Sequence, residues 1–215
     1  LAPSSANATP ASSSEIDVAW SDQSTSEDGF RVERASTSAG PWENVASTAA
    51  NVTSYRDLER PGEQQVCYRV IAFNTHGESP PSNSDCTAAP AEPTSLTGTE
   101  VNRETILLTW TDNSTVEDRY EIQRSSDGVT FYTLATVPAN SSSYWDVGVP
   151  AGMTFWYRVR AQKDGGYSDF SNVAAAMTGS CAPYEWDCYN GIDDDCDGYV
   201  DHIDVDCGCG SEGCG

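Results

Sequence analysis

The stretch "EIDVAWSDQSTSEDGFRVER" (residues 15–34) recurs as "TILLTWTDNSTVEDRYEIQR" (residues 105–124) at a constant offset of 90. Trp20 pairs with Trp110, Phe30 with Tyr120 and Arg34 with Arg124. A self-match of this length makes the body of the chain one unit written twice. Further on, "NVTSYRDL" (51–58) matches "NSSSYWDV" (140–147), and "CYRVIAFN" (67–74) matches "WYRVRAQK" (156–163), now at an offset of 89. The lost residue falls between Arg34 and Trp42, where the second copy reads "SSDGVTF". Asp127-Gly128 in that segment is a hairpin-turn signal, and turns tolerate a change of length.

Within each copy the hydrophobic period is two. Ile16, Val18 and Trp20 alternate with polar residues, as do Ile106, Leu108 and Trp110. Tyr68, Val70 and Ala72 repeat the pattern, matched by Tyr157, Val159 and Ala161. This is the mark of half-buried strands, and helical spacing is absent. Short strands punctuated by turns over about 90 residues predict an all-β fold built of antiparallel sandwiches.

Each copy resembles a fibronectin type III domain. The residues carrying the resemblance are Trp20 and Trp110, the turn Pro61-Gly62 (Pro150-Ala151-Gly152 in copy two), the tyrosines Tyr68 and Tyr157, and the endings "NTHGESPPSN" and "KDGGYSDFSN". It covers roughly residues 2–178. The implied organisation is two tandem Ig-like sandwiches, residues 1–90 and 91–178, followed by a Cys-rich tail, residues 179–215. Cys67 and Cys86 fall in the strands that the resemblance makes F and G of copy one. Their counterparts in copy two are Trp156 and Ala175, so both cysteines are replaced together, as cross-strand partners are. We therefore expect a Cys67–Cys86 disulfide. The linker "TAAPAEPTSL" carries Pro90 and Pro93 and no glycine, which predicts a semi-rigid, end-to-end pair.

The totals narrow the function. A net charge of −22 and a pI of about 4.1 argue against nucleic acid, whose phosphates need a basic face. No run of about 18 apolar residues predicts a membrane span. The first residue is Leu1, so a removed leader or a fragment is expected. Eight cysteines, six of them after residue 180, read as disulfides of an oxidising, extracellular or cell-surface setting rather than as a zinc site, for which histidines are too few. No acid–base pair, triad or cofactor motif points to an enzyme.

The last 35 residues hold ten acids, six cysteines and no Lys or Arg. They have too few apolar residues for a core, so staples and a metal must order them. Counted from Asp193, the acids Asp193, Asp195 and Asp197 occupy positions 1, 3 and 5, Gly198 position 6, Tyr199 position 7, Asp201 position 9 and Asp204 position 12. That is the spacing of a calcium loop: alternating carboxylates converge, glycine permits the sharp turn, and the Tyr199 carbonyl adds a backbone ligand. Asp stands at position 12 in place of Glu, and its reach is shorter. Asp187, Asn190, Asp194 and Asp206 remain as a candidate second metal site or a solvated charge cluster. The flanks have no helical period, so cysteines stand in for the helices of an EF-hand. The segment "CYNGIDDDCDGYVD" (188–201) resembles a short metal-binding motif of secreted bacterial proteins, and its loop resembles those of thrombospondin type 3 repeats and dockerins. Six tail cysteines allow fifteen pairings. Cys188–Cys196 is the first candidate, with Cys207 and Cys209 reaching Cys181 and Cys214.

Two classes of function follow. One is a calcium-stabilised structural protein that self-associates or binds another extracellular protein, its extended N-terminal segment adding to a neighbour's sheet. The other is an accessory spacer of a larger secreted hydrolase. Carbohydrate is a third candidate partner, through exposed aromatics such as Trp145 or Trp186.

Overall fold

A computed structural model describes residues 1–58 and 60–180, and every regular element in it is a strand. The first sandwich faces a sheet of β1 (Ser4–Pro10), β2 (Ile16–Ser21) and β5 (Ser54–Asp57) against one of β4 (Glu43–Ala49), β3 (Gly29–Ala35), β6 (Val66–Asn74) and β7 (Gly77–Glu78). A short β8 (Asp85–Thr87) also pairs with β6. The second sandwich repeats the plan. Its three-stranded sheet is β9 (Thr94–Asn102), β10 (Thr105–Thr111) and β13 (Ser143–Val147). Its other sheet is β12 (Tyr132–Pro138), β11 (Arg119–Ser125), β14 (Thr154–Lys163) and β15 (Gly166–Tyr167), with β16 (Ala174–Met177) also on β14. The N-terminal segment is thus an edge strand of its own sheet.

The two-residue period places the cores. Ile16, Val18 and Trp20 from one sheet meet Phe30, Val32, Tyr68 and Val70 from the other, and Ile106, Leu108, Trp110, Tyr120, Ile122, Tyr157 and Val159 do the same in copy two. Each tryptophan leans on the aromatic ten residues later, with ring centroids 5.6 Å apart for Trp20–Phe30 and 5.8 Å for Trp110–Tyr120. Both pairs are tilted, the arrangement favoured by ring quadrupoles. The change of offset lies in the loop between β3 and β4. Arg34 pairs with Glu43 where Arg124 pairs with Tyr132, and the longer first loop makes its turn through Gly40-Pro41.

The matched endings of the two copies explain how the last strand is replaced. The hydroxyls of Ser79 and Ser82 accept from the backbone N–H groups of Ala72 and Val70, and Ser168 and Ser171 do so for Ala161 and Val159. Asn83 and Asn172 then each bond both backbone groups of one residue across the sandwich, Ala6 and Leu96. Side chains satisfy edge groups that a continuous strand would otherwise pair.

Candidate functional site

The tail sites expected from the sequence lie outside the described residues: the calcium loop of Asp193, Asp195, Asp197, Tyr199, Asp201 and Asp204, the second set of Asp187, Asn190, Asp194 and Asp206, and the six tail cysteines. Among the described residues no cluster of three or more His, Cys, Asp or Glu side chains could hold a metal. His76 sits on the exposed turn after β6, beside Thr75.

Cys67 and Cys86 stand directly opposite each other on β6 and β8 and form a disulfide. In copy two the same register sets Trp156 against Ala175. The Trp156 indole covers Gly128, whose φ of +73° lets the turn after β11 close.

Each module holds a buried three-residue clasp. The Tyr68 hydroxyl donates to Asp57 Oδ2 at 2.8 Å, and Arg34 Nη1 donates to the same oxygen at 2.9 Å. Tyr157, Asp146 and Arg124 reproduce the set at 2.8 and 2.9 Å. Burial, and then the bond to the aspartate, push both phenols far above the ordinary tyrosine range, so they remain donors at any working pH. The sequence singles out these tyrosines and arginines but not Asp57 and Asp146. Their signal was present, since both lie in the matched "SYRD" and "SYWD" segments.

The residues most engaged between distant parts of the chain lie at the seam between modules. Glu63, just beyond the Pro61-Gly62 turn, adopts φ of +65°. Its carboxylate reaches out of module one. It accepts from the Ala91 N–H of the linker at 2.7 Å and from the Ser114 hydroxyl at 2.9 Å. It also takes both the N–H and the hydroxyl of Thr115, each at 2.7 Å. Burial disfavours its charge, but the bonds from Thr115, Ala91 and Ser114 outweigh burial and hold the carboxyl below its ordinary range. The copy-two counterpart is Gly152, with φ of +70°. Both residues donate a backbone bond to the segment just past the last strand, Glu63 N–H to Ala89 O and Gly152 N–H to Gly179 O, each at 2.8 Å. The turn wants glycine; module one carries glutamate there, and the side chain spans the seam.

Three further contacts surround this pin. Thr87 donates to Asp164 at 2.8 Å. Ser13 and Asp169 exchange bonds of 3.3 and 3.0 Å. Gly166 of β15 lies so near the end of β1 that a Cβ there would fall 2.1 Å from the Pro10 carbonyl oxygen. The linker residues Ala88, Ala89, Pro90 and Pro93 are buried. The pair is joined by a packed seam, where the sequence offered only proline stiffening.

The comparisons agree with this architecture. Residues 91–176 match the family model described as fibronectin type III domain. The crystal structure of the chicken CNTN1 FN1–FN3 domains superposes with a TM-score of 0.53 at 18% identity, covering 84% of this chain and 68% of that one, a likeness of fold alone. An alpha-amylase of Niallia circulans is 41% identical over 96 residues, which is 43% of this chain and 7% of the relative, so the chain spans a small share of that protein's length. The described residues are all-β, consistent with tandem fibronectin type III sandwiches, and residues 91–176 match the fibronectin type III family.

Proposed function

We propose that this chain is a non-catalytic extracellular strut, two fibronectin type III modules locked in line and continued by a calcium-binding tail. The observation that carries the reading is the Glu63 pin, because a flexible tether has no use for a left-handed glutamate holding four donors of the linker and the next module. The Cys67–Cys86 disulfide agrees with an oxidising compartment. No helix among the described residues is long and apolar enough to cross a membrane.

The relative favours one setting. An alpha-amylase matched over 7% of its length places the similar segment in a minor part of a large enzyme, and we read the present strut as such a spacer. It would hold a catalytic region at a fixed distance from its anchoring partner. The tail supports the second setting, an assembly subunit, since the acids from Asp193 to Asp204 have calcium-loop spacing and six cysteines surround them. Small-angle scattering on the whole chain tests the strut: the curve should fit one rigid two-module shape, and a curve requiring an ensemble of inter-module angles refutes it. Electron microscopy with calcium and then with a chelator separates the settings. Calcium-dependent polymers favour the assembly, and monodisperse particles in both conditions favour the spacer. Calorimetry on Asp195→Ala should show lost calcium binding; unchanged binding rejects the ligand set.

A further inference from the structure

The sheet of β9, β10 and β13 turns one face to the core and the other to solvent. Register sets Thr99, Leu107 and Trp145 side by side across its outer face. The next outward row is Thr97, Thr109 and Ser143. Trp145 is 52% exposed and Val147, two residues on, 68%. No outward position of these three strands carries an ionisable side chain, in a chain of net charge −22.

The first module supplies an internal control. Its equivalent row is Thr9, Asp17 and Arg56, and Arg56 clamps Asp17 with two bonds of 2.7 Å while Glu15 lies 3.4 Å away. The same fold therefore carries this face as a solvated ion pair. In module two the pair is replaced, position for position, by Leu107 and Trp145. Neither a buried core nor the seam requires the exchange, because the face meets no other element of the described chain.

We propose that this face binds a neutral polysaccharide chain. The inference deepens the accessory-spacer reading and rests on it. An exposed indole beside a half-buried leucine is a flat apolar platform for the C–H face of a pyranose ring. The hydroxyls of Thr97, Thr109, Thr99 and Ser143 border it, each able to donate and accept. The Thr97 and Thr109 hydroxyls bond each other at 2.9 Å and keep capacity for a ligand. A dry protein interface would bury this row of hydroxyls against apolar surface without partners, which is unfavourable, whereas a sugar brings hydroxyls of its own. The absence of charge excludes recognition of an acidic polymer, and the −22 net charge repels one.

The test is native affinity electrophoresis of the whole chain in gels containing soluble starch, hydroxyethylcellulose or, as the charged control, alginate. Retardation is expected in a neutral glucan and not in alginate. Trp145→Ala should weaken it about tenfold or more, and Arg56→Ala should leave the retardation relative to a glucan-free gel unchanged. The double variant Leu107→Asp with Trp145→Arg transplants the module-one ion pair onto this face. It should melt with the parent and lose retardation, so loss of binding is separated from loss of fold. No retardation in either glucan, equal retardation of Trp145→Ala, or retardation in alginate alone overturns the proposal. A concentration-dependent dimer in sedimentation that Trp145→Ala abolishes also overturns it, assigning the face to a second copy. Failure here with a rigid pair in scattering leaves the strut standing; a flexible pair that still binds glucan does the reverse.

Discussion

Replacing Glu63 by glycine should unlock the modules without damaging either. Residue 63 has φ of +65°, a conformation that costs a non-glycine residue about 1–2 kcal/mol, so Glu63→Gly relieves local strain in module one. The same change removes four hydrogen bonds to a carboxylate, at 2.7, 2.9, 2.7 and 2.7 Å. Bonds to charged groups contribute about 1.5–3 kcal/mol each when sequestered. Glu63 is only half-buried and its released donors regain water, so we assign the set about 2–4 kcal/mol. The ratio of locked to unlocked pairs should then fall about thirty- to several-hundredfold. What stays behind, the Thr87–Asp164 bond and the Ser13–Asp169 exchange, is partly exposed and weaker. The assay is nitrogen-15 relaxation with small-angle scattering. The parent should tumble as one elongated body, while Glu63→Gly should give each module its own correlation time. Module-one melting should be unchanged or raised. A variant that still tumbles as one body refutes the reasoning, and so does a module one that melts markedly lower.

Three other outcomes follow from the same contacts. Glu63 titrates below the ordinary carboxylate range, so its contribution is complete above the pKa it would have in a separated pair and is lost as pH falls through its lowered value. The pair should therefore loosen in acid before either sandwich melts, with independent tumbling setting in only as pH falls beneath the ordinary carboxylate range. Reduction of the disulfide, which joins residues 19 apart, should lower module-one stability by roughly 3 kcal/mol and leave module two unchanged in differential scanning calorimetry. Tyr157→Phe leaves buried Asp146 to Arg124 alone and should cost about 1–2 kcal/mol, with Tyr68→Phe matching it in module one; equal melting of both variants and parent would show the clasps to be dispensable.

How much of this was legible depended on the range of the interaction. Local alternation and the doubled motif revealed the strands, because period-two burial is written in consecutive residues such as Ile16, Val18 and Trp20. The pairing of Cys67 with Cys86 was legible because its signal is covariance between two copies of one unit. Asp57 and Asp146 are hard to read because an acid at a strand end looks like turn chemistry until the buried phenol opposite it is seen. Glu63 carried no signal beyond its place after Pro-Gly. Its partners Ser114 and Thr115 are 51 and 52 residues away, and nothing in either segment predicts that the seam brings them together.

The differences between the copies are more informative than their agreement. Two modules of one fold need the same core, so Trp20 and Trp110, or Tyr68 and Tyr157, report on folding and nothing else. Where the copies part, folding is indifferent and another requirement is free to act. Glu63 replaces a glycine that its turn prefers, and its side chain crosses to the neighbour. Gly166 and Gly77 keep the same residue but differ in surroundings: a Cβ at Gly166 would strike Pro10, and one at Gly77 would meet open space. Trp145 and Leu107 stand where Arg56 and Asp17 make an ion pair. The first two features build the seam and the third builds an uncharged outer face on module two. A strut made only for spacing would need the first two. The third has no part in spacing, which is why the face, rather than the length of the pair, is where contact with a partner should be sought.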